Sequence, residues 1–167
     1  MASYTEEAYE SALIELFQNM GYTHVYGPDV ERNFYSPLYD IVLESSIRRQ
    51  NPSLPADAIS DALFKLRNFD NDDLVKKNEL FMDYLQNGVP VRFVVKGEEQ
   101  SSLAYLVDYK HPENNSFIVA NQWTYIENSN KRPDMVLFLN GIPVLPRHCL
   151  RSRLRLSCPS LEWQLQR

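Results

Sequence analysis

The chain has little cysteine: two residues in 167, Cys149 and Cys158, both near the C-terminal end. Two cysteines so placed give no disulfide framework and no zinc-ligand spacing, so a reducing, cytoplasmic setting is expected. No apolar run approaches the roughly 18 residues that would cross a bilayer, so no membrane partner is expected. Met1-Ala2-Ser3-Tyr4 does not lead from a basic segment into an apolar core, and no secretory signal is expected. A Gly-x-x-x-x-Gly-Lys-Ser/Thr loop is also missing, so the chain should not bind or hydrolyse ATP in that way. Basic charge is scarce over most of the length, with 12 Lys or Arg against 21 Asp or Glu in residues 1–145. A protein that binds duplex DNA unaided neutralises several phosphates with a basic patch, and this stretch is poorly suited to that alone.

What is present is an ordinary globular composition, 44% apolar and 23% charged. A chain of this size forms one domain and buries roughly 68–70% of its unfolded surface. Thr5 to Met20 is the clearest helix, with Tyr9, Leu13, Leu16, Phe17 and Met20 at helical spacing, Thr5 as cap and Gly21 as stop. Thr23 to Tyr39 holds Gly27, Pro28 and Pro37 without a steady period and reads as mostly loop. Asp40 to Arg49 predicts a second helix resting on Ile41, Val42, Leu43 and Ile47. Ala56 to Asn68 predicts a third, and Asp72 to Asn87 a fourth that Gly88 ends. The period then changes. Val89 to Val95, Ser102 to Tyr109 and Phe117 to Trp123 are β-rich runs, with turns at Lys96-Gly97-Glu98 and Pro112 to Asn115. There is no internal repeat, low-complexity segment or dividing linker in residues 5–145. Helices followed by strands predict one α/β domain with a mixed or antiparallel sheet.

The stretch richest in information is Arg132-Pro133-Asp134-Met135-Val136-Leu137-Phe138-Leu139-Asn140-Gly141-Ile142-Pro143. An aspartate opens a run of five apolar residues, and Asn-Gly closes it. Asn-Gly is the strongest short-range signal for a two-residue type I′ hairpin, since both central residues need positive φ. Asp134 should therefore stand at the start of a buried strand, with Leu139 facing Ile142 and Asp134 facing position 147. Read from the residues alone, Asp134 is a strand-entry acid in solvent.

This stretch and several others, in order, resemble the N-terminal region of the R (restriction) subunit of type I restriction-modification enzymes. The resemblance runs from Thr5–Tyr22 through Asn51-Pro52-Ser53-Leu54-Pro55 with Ala58, Ile59, Ala62, Leu63, Lys65 and Leu66. It continues in Asn78, Phe81, Leu85, Gly88 and Val89, then Asn114-Asn115-Ser116-Phe117, Asn121-Gln122, and the Pro133-Asp134 hairpin. The resemblance implies a restriction-endonuclease-like core of the PD-(D/E)xK type, incomplete at its C-terminal end. It implies that the intact subunit is a Mg²⁺-dependent DNA endonuclease coupled to ATP-driven translocation, in a complex with methylation and specificity subunits. ATP would belong to the intact subunit and not to this chain. The resemblance makes Asp134 the catalytic, metal-facing acid, in keeping with the preference of Mg²⁺ for carboxylate oxygen. Glu10, on the opening helix, is the candidate for a further acid at the metal. Its plain reading, shared with Glu6, Glu7 and Glu15, is a solvated helix face.

The family pattern then calls for Glu-x-Lys at positions 148 and 150, where this chain has His148 and Leu150. Imidazole suits softer metals than Mg²⁺, and leucine cannot stabilise a developing charge. Cleavage by this chain alone is therefore not expected, and Mg²⁺ binding is expected to be weak or absent. Lys131 and Arg132 can be read as phosphate contacts or as a solvated pair. Tyr105, Tyr109, Trp123 and Tyr125 read as core aromatics. From Pro146 onward there are five arginines and one acid, Glu162, a composition unlike the rest. The sequence thus divides into an incomplete nuclease-type domain over 1–145 and an atypical basic tail over 146–167, as a shifted reading frame would produce. The other reading is a noncatalytic DNA-binding or subunit-assembly module on the same scaffold.

Overall fold

A computed structural model describes residues 5–69, 73–126, 130–131 and 133–147. Along the chain run α1 (Glu6–Asn19), β1 (Thr23–Tyr26), α2 (Asp40–Gln50), α3 (Ala56–Arg67), α4 (Leu74–Asn87), β2 (Val89–Val95) and β3 (Glu98–Ala104). They are followed by β4 (Phe117–Asn121), β5 (Tyr125–Ile126), β6 (Asn130–Lys131), β7 (Met135–Leu139) and β8 (Ile142–Arg147). The fold is mixed α/β, as expected. The described residues fall into two compact units, one made of residues up to 40 and from 116 onward, the other of residues 41–115.

The first unit is built on a four-stranded sheet in the order β1-β4-β7-β8. β1 runs parallel to β4, whereas the β4–β7 and β7–β8 pairs are antiparallel, so the sheet is mixed. Thr5 caps α1 by accepting from Ala8 N at 3.3 Å. At the other end Tyr22 N donates to the Phe17 carbonyl and Gly21 N to that of Gln18, with Gly21 at φ +91°. That is a Schellman stop, which favours glycine because a Cβ would oppose the left-handed backbone. Leu13, Ile14 and Phe17 of α1 pack with Tyr22 on Val119, Met135 and Leu137 of the sheet. Leu16 and Met20, expected in that stripe, are exposed instead. The helix turns its Leu13-Ile14-Phe17 line inward because those three side chains fit the Val119-Met135-Leu137 surface. Among residues of this unit, the Tyr39, Trp123 and Phe138 rings form an aromatic cluster, with Trp123 and Phe138 centroids 4.7 Å apart.

Strand β1 corrects the expectation of a loop from Thr23. Four residues with no apolar alternation carry little strand signal, and β1 forms because β4 supplies a parallel partner from Thr23↔Ile118 to Tyr26↔Asn121. β4 ends at Asn121 and not at Trp123, because Gln122 adopts φ 53° and breaks the pleat. The Asn140-Gly141 hairpin forms as expected, with φ of 52° and 82° and Leu139 opposite Ile142. Further along, Leu137 pairs with Leu145, leaving Val144 as an extra residue, so Arg147 pairs with Met135 and not with Asp134. Pro143 has no N–H for the ladder, and a bulge beside it is where a sheet accommodates that loss.

The second unit joins α2, α3 and α4 to the antiparallel β2–β3 hairpin. α2 buries Leu43, Ser46 and Ile47 while Ile41 stays exposed, and α3 buries Ala58, Ile59, Ala62, Leu63 and Leu66 along one face. Asp73, one residue after the expected start, caps α4 by accepting from Val75 N at 2.9 Å. The hairpin turn is Lys96-Gly97, φ 53° and 86°, which starts β3 at Glu98 and ends it at Ala104. The expected Ser102–Tyr109 strand is thereby corrected: turn geometry sets the register, and the polar Glu98–Ser102 run pairs because Val89–Val95 lies opposite. Tyr105 and Tyr109 lie beyond the strand and are more than half exposed, whereas Trp123 and Tyr125 are buried as core residues.

Candidate functional site

Glu10, Leu13, Ile14 and Phe17 stand at i, i+3, i+4 and i+7, so they share one helix face. Three of the four are the apolar residues that seat α1 on the sheet. Glu10 is carried down with them, and its Oε1 accepts from Asn121 Nδ2 at 2.7 Å. Glu7 and Glu15 of α1 are exposed, and of the two only Glu15 lies off that face. Asn121 is the last residue of β4, 9% exposed, and its Oδ1 lies 3.0 Å from His24 Nε2 on β1.

Asp134 stands where the sequence places it, after buried Pro133 and immediately before β7, and it is half-buried. Its carbonyl accepts from Gln122 N at 3.0 Å, one pair beyond the Asn121↔Met135 pairing. The structure thus brings Glu10 and Asp134 to the same end of the sheet, linked through Asn121-Gln122. Tyr26, paired with Asn121, closes that end by donating from Oη to Gln122 Oε1 at 3.5 Å. Gly27 follows, and a Cβ there would lie 2.7 Å from the Gln122 carbonyl oxygen and 2.9 Å from that of Asn121. A residue without a side chain is what lets β1 leave the sheet so close to the end of β4.

Beside Gln122, Arg32 donates from Nη1 to the Thr124 carbonyl and lies over the Trp123 ring, 3.8 Å from its centroid, and over Phe34 at 4.6 Å. Burial lowers the Arg32 pKa, partly offset by the charge of Tyr39. Arginine stacks on aromatic faces through its weakly hydrated planar cation, so two rings can hold it there.

Sequence reasoning named Asp134 and Glu10 but not His24 or Arg32, and it used Asn121 only as part of a family pattern. His24 lay in a stretch read as loop. The detectable signal for Asn121 was a polar residue closing the apolar Phe117-Ile118-Val119-Ala120 run. Lys131 lies in β6, paired with Tyr125. Arg132, His148 and Leu150 lie outside the described residues.

Asp134 and Glu10 offer hard oxygen donors of the kind Mg²⁺ prefers. Among the described residues, however, no three His, Cys, Asp or Glu side chains come together in a metal-holding group.

The chain matches the family described as the type I restriction enzyme R protein N terminus over residues 3–145, and it belongs to that family. It is 32% identical over 145 residues to a putative type I restriction enzyme MjaIXP endonuclease subunit of Methanocaldococcus jannaschii, covering 81% of this chain and 14% of the relative. It is 31% identical over 150 residues to the type I restriction enzyme HindI endonuclease subunit of Haemophilus influenzae, covering 84% of this chain and 14% of that protein. The chain therefore spans about one-seventh of the length of these curated relatives. Among the described residues no helix is long and apolar enough to cross a membrane.

Proposed function

We propose that this chain is the N-terminal, nuclease-type part of a type I restriction endonuclease R subunit. In the intact, ATP-driven cytoplasmic complex with methylation and specificity subunits, that subunit cleaves DNA phosphodiesters with Mg²⁺. The observation that carries the reading is that Glu10, bonded to the Asn121 side chain, and Asp134, bonded through its backbone to Gln122, stand at the same end of the sheet in a chain of this family. Bound Mg²⁺ would activate water and stabilise the leaving oxygen, with Asp134 as ligand and Glu10 as second acid. This chain's own part is to hold those two carboxylates in place.

With His148 and Leu150 where Glu-x-Lys belongs, this chain is proposed to be inactive alone. The same departure favours a second reading, a noncatalytic DNA-binding or subunit-assembly module. Incubation of purified chain with supercoiled plasmid and Mg²⁺ tests the first reading, and nicking abolished by Asp134→Ala would refute the inactivity. Restoring both side chains (His148→Glu with Leu150→Lys) should produce Mg²⁺-dependent nicking if the site is a nuclease centre. If the double variant stays inert while the parent chain binds DNA or the methylation and specificity subunits, the module reading takes its place.

A further inference from the structure

The Glu10–Asn121–His24 contacts have a direction. An ionised carboxylate can only accept hydrogen bonds. The Asn121 atom 2.7 Å from Glu10 Oε1 is therefore the amide nitrogen, because turning the amide round would set two oxygens against each other. Asn121 Oδ1 is then the atom 3.0 Å from His24 Nε2, and a carbonyl oxygen can only accept. His24 must carry its proton on Nε2, which leaves Nδ1 as the basic nitrogen of the neutral ring. Asn121 is buried between these partners, and a buried amide needs both of its ends satisfied. Its partners come from two different elements, α1 and β1, so one side chain sets the position of an acid and the tautomer of a histidine.

We infer that Asn121 is the positioning residue of this site: its amide holds the Glu10 carboxylate at the sheet end where Asp134 enters β7 and holds His24 in the Nε2–H form. That the held carboxylate serves phosphodiester cleavage rests on the function proposed above, whereas the directed chain of hydrogen bonds stands without it. A side chain that only filled space would orient neither partner.

Nitrogen-15 NMR of the His24 ring in the full chain tests this. In the parent chain neutral His24 should be protonated at Nε2, with slowed exchange of that proton. Glu10→Lys exchanges an acceptor-only partner for a donor-only one, so the Asn121 amide should turn and the Nδ1–H form should replace Nε2–H. Asn121→Leu, of similar volume, removes the amide from both partners, and the Nε2–H preference and the slowed exchange should be lost. A parent ring protonated at Nδ1 overturns the inference. So does an unchanged tautomer and exchange rate in folded Asn121→Leu. Glu10→Lys changes a half-buried helix face, so it decides the matter if Asn121→Leu does not fold. An unchanged His24 tautomer in Glu10→Lys then overturns the inference. Plasmid nicking by the His148→Glu, Leu150→Lys chain reports separately: no nicking with the ring signatures intact defeats the nuclease reading and leaves Asn121's positioning role standing.

Discussion

Ser116 and Asn140 exchange two hydrogen bonds: Asn140 N donates to the Ser116 carbonyl at 2.8 Å, and Ser116 N donates to Asn140 Oδ1 at 2.7 Å. Asn140 is fully buried and holds φ 52° in the hairpin turn. One side chain thus tolerates the left-handed backbone and ties the β7–β8 turn to the entry of β4. Asn140→Ala removes the acceptor of a partly buried N–H and should cost about 1–3 kcal/mol. Asn140→Asp keeps an acceptor at that place and should cost less. Urea denaturation of the two variants ranks them, and equal midpoints would refute this role for the side chain.

Gly27 should tolerate no side chain. A methyl 2.7 Å from the Gln122 carbonyl oxygen meets backbone, which cannot swing aside as a side chain would. Gly27→Ala should destabilise by about 1–3 kcal/mol, the usual penalty for overpacking. It should also shift the backbone amide signals of Asn121 and Gln122. A thermal midpoint equal to the parent's would contradict the close approach.

Asn51 reads the backbone of Tyr105 in the second unit. Its Oδ1 accepts from Tyr105 N, and its Nδ2 donates to the Tyr105 and Ile47 carbonyls, each at 2.8 Å. Asn51→Ala should cost about 1–3 kcal/mol through the polar groups it strands. Amide hydrogen exchange gives the sharper check: protection of the Tyr105 N–H should fall by more than that of its neighbours.

Asp108 should make the second unit sensitive to acid. Its carboxylate accepts from the Asn114 side chain and from the backbone N–H groups of His111 and Lys110, which favour the ionised form and lower its pKa. A folded pKa below the unfolded one adds stability that is complete above the ordinary value of 3.8 and disappears as pH falls through the lowered value. Melting curves of the parent chain and Asp108→Ala should therefore differ at neutral pH and converge in acid. A gap that stays constant below pH about 3.8 would show that the carboxylate's charge is not involved.

The four helices, the Asn140-Gly141 hairpin and the place of Asp134 were legible in the sequence, because their signals are local. Apolar spacing over three or four turns, a cap, or two residues that accept positive φ act within a short stretch of chain. β1 and the true limits of β3 were not legible. Neither has an apolar alternation of its own, and each exists because a distant strand offers it hydrogen-bond partners.

The same division runs through the candidate site. By itself the sequence determined that the chain belongs with the type I R-subunit N termini and that an acid precedes the Pro133-Asp134 strand's apolar run. It also determined that positions 148 and 150 hold histidine and leucine. Only the tertiary structure decided which acid of α1 reaches the sheet, because the Leu13-Ile14-Phe17 line packs on Val119, Met135 and Leu137 and sets Glu10 against Asn121. It alone joined Glu10, His24 and Asn121, which are up to 111 residues apart, and it alone set Arg147 opposite Met135. Contacts between distant elements and a one-residue bulge depend on how surfaces fit, and no local run of residues encodes that fit.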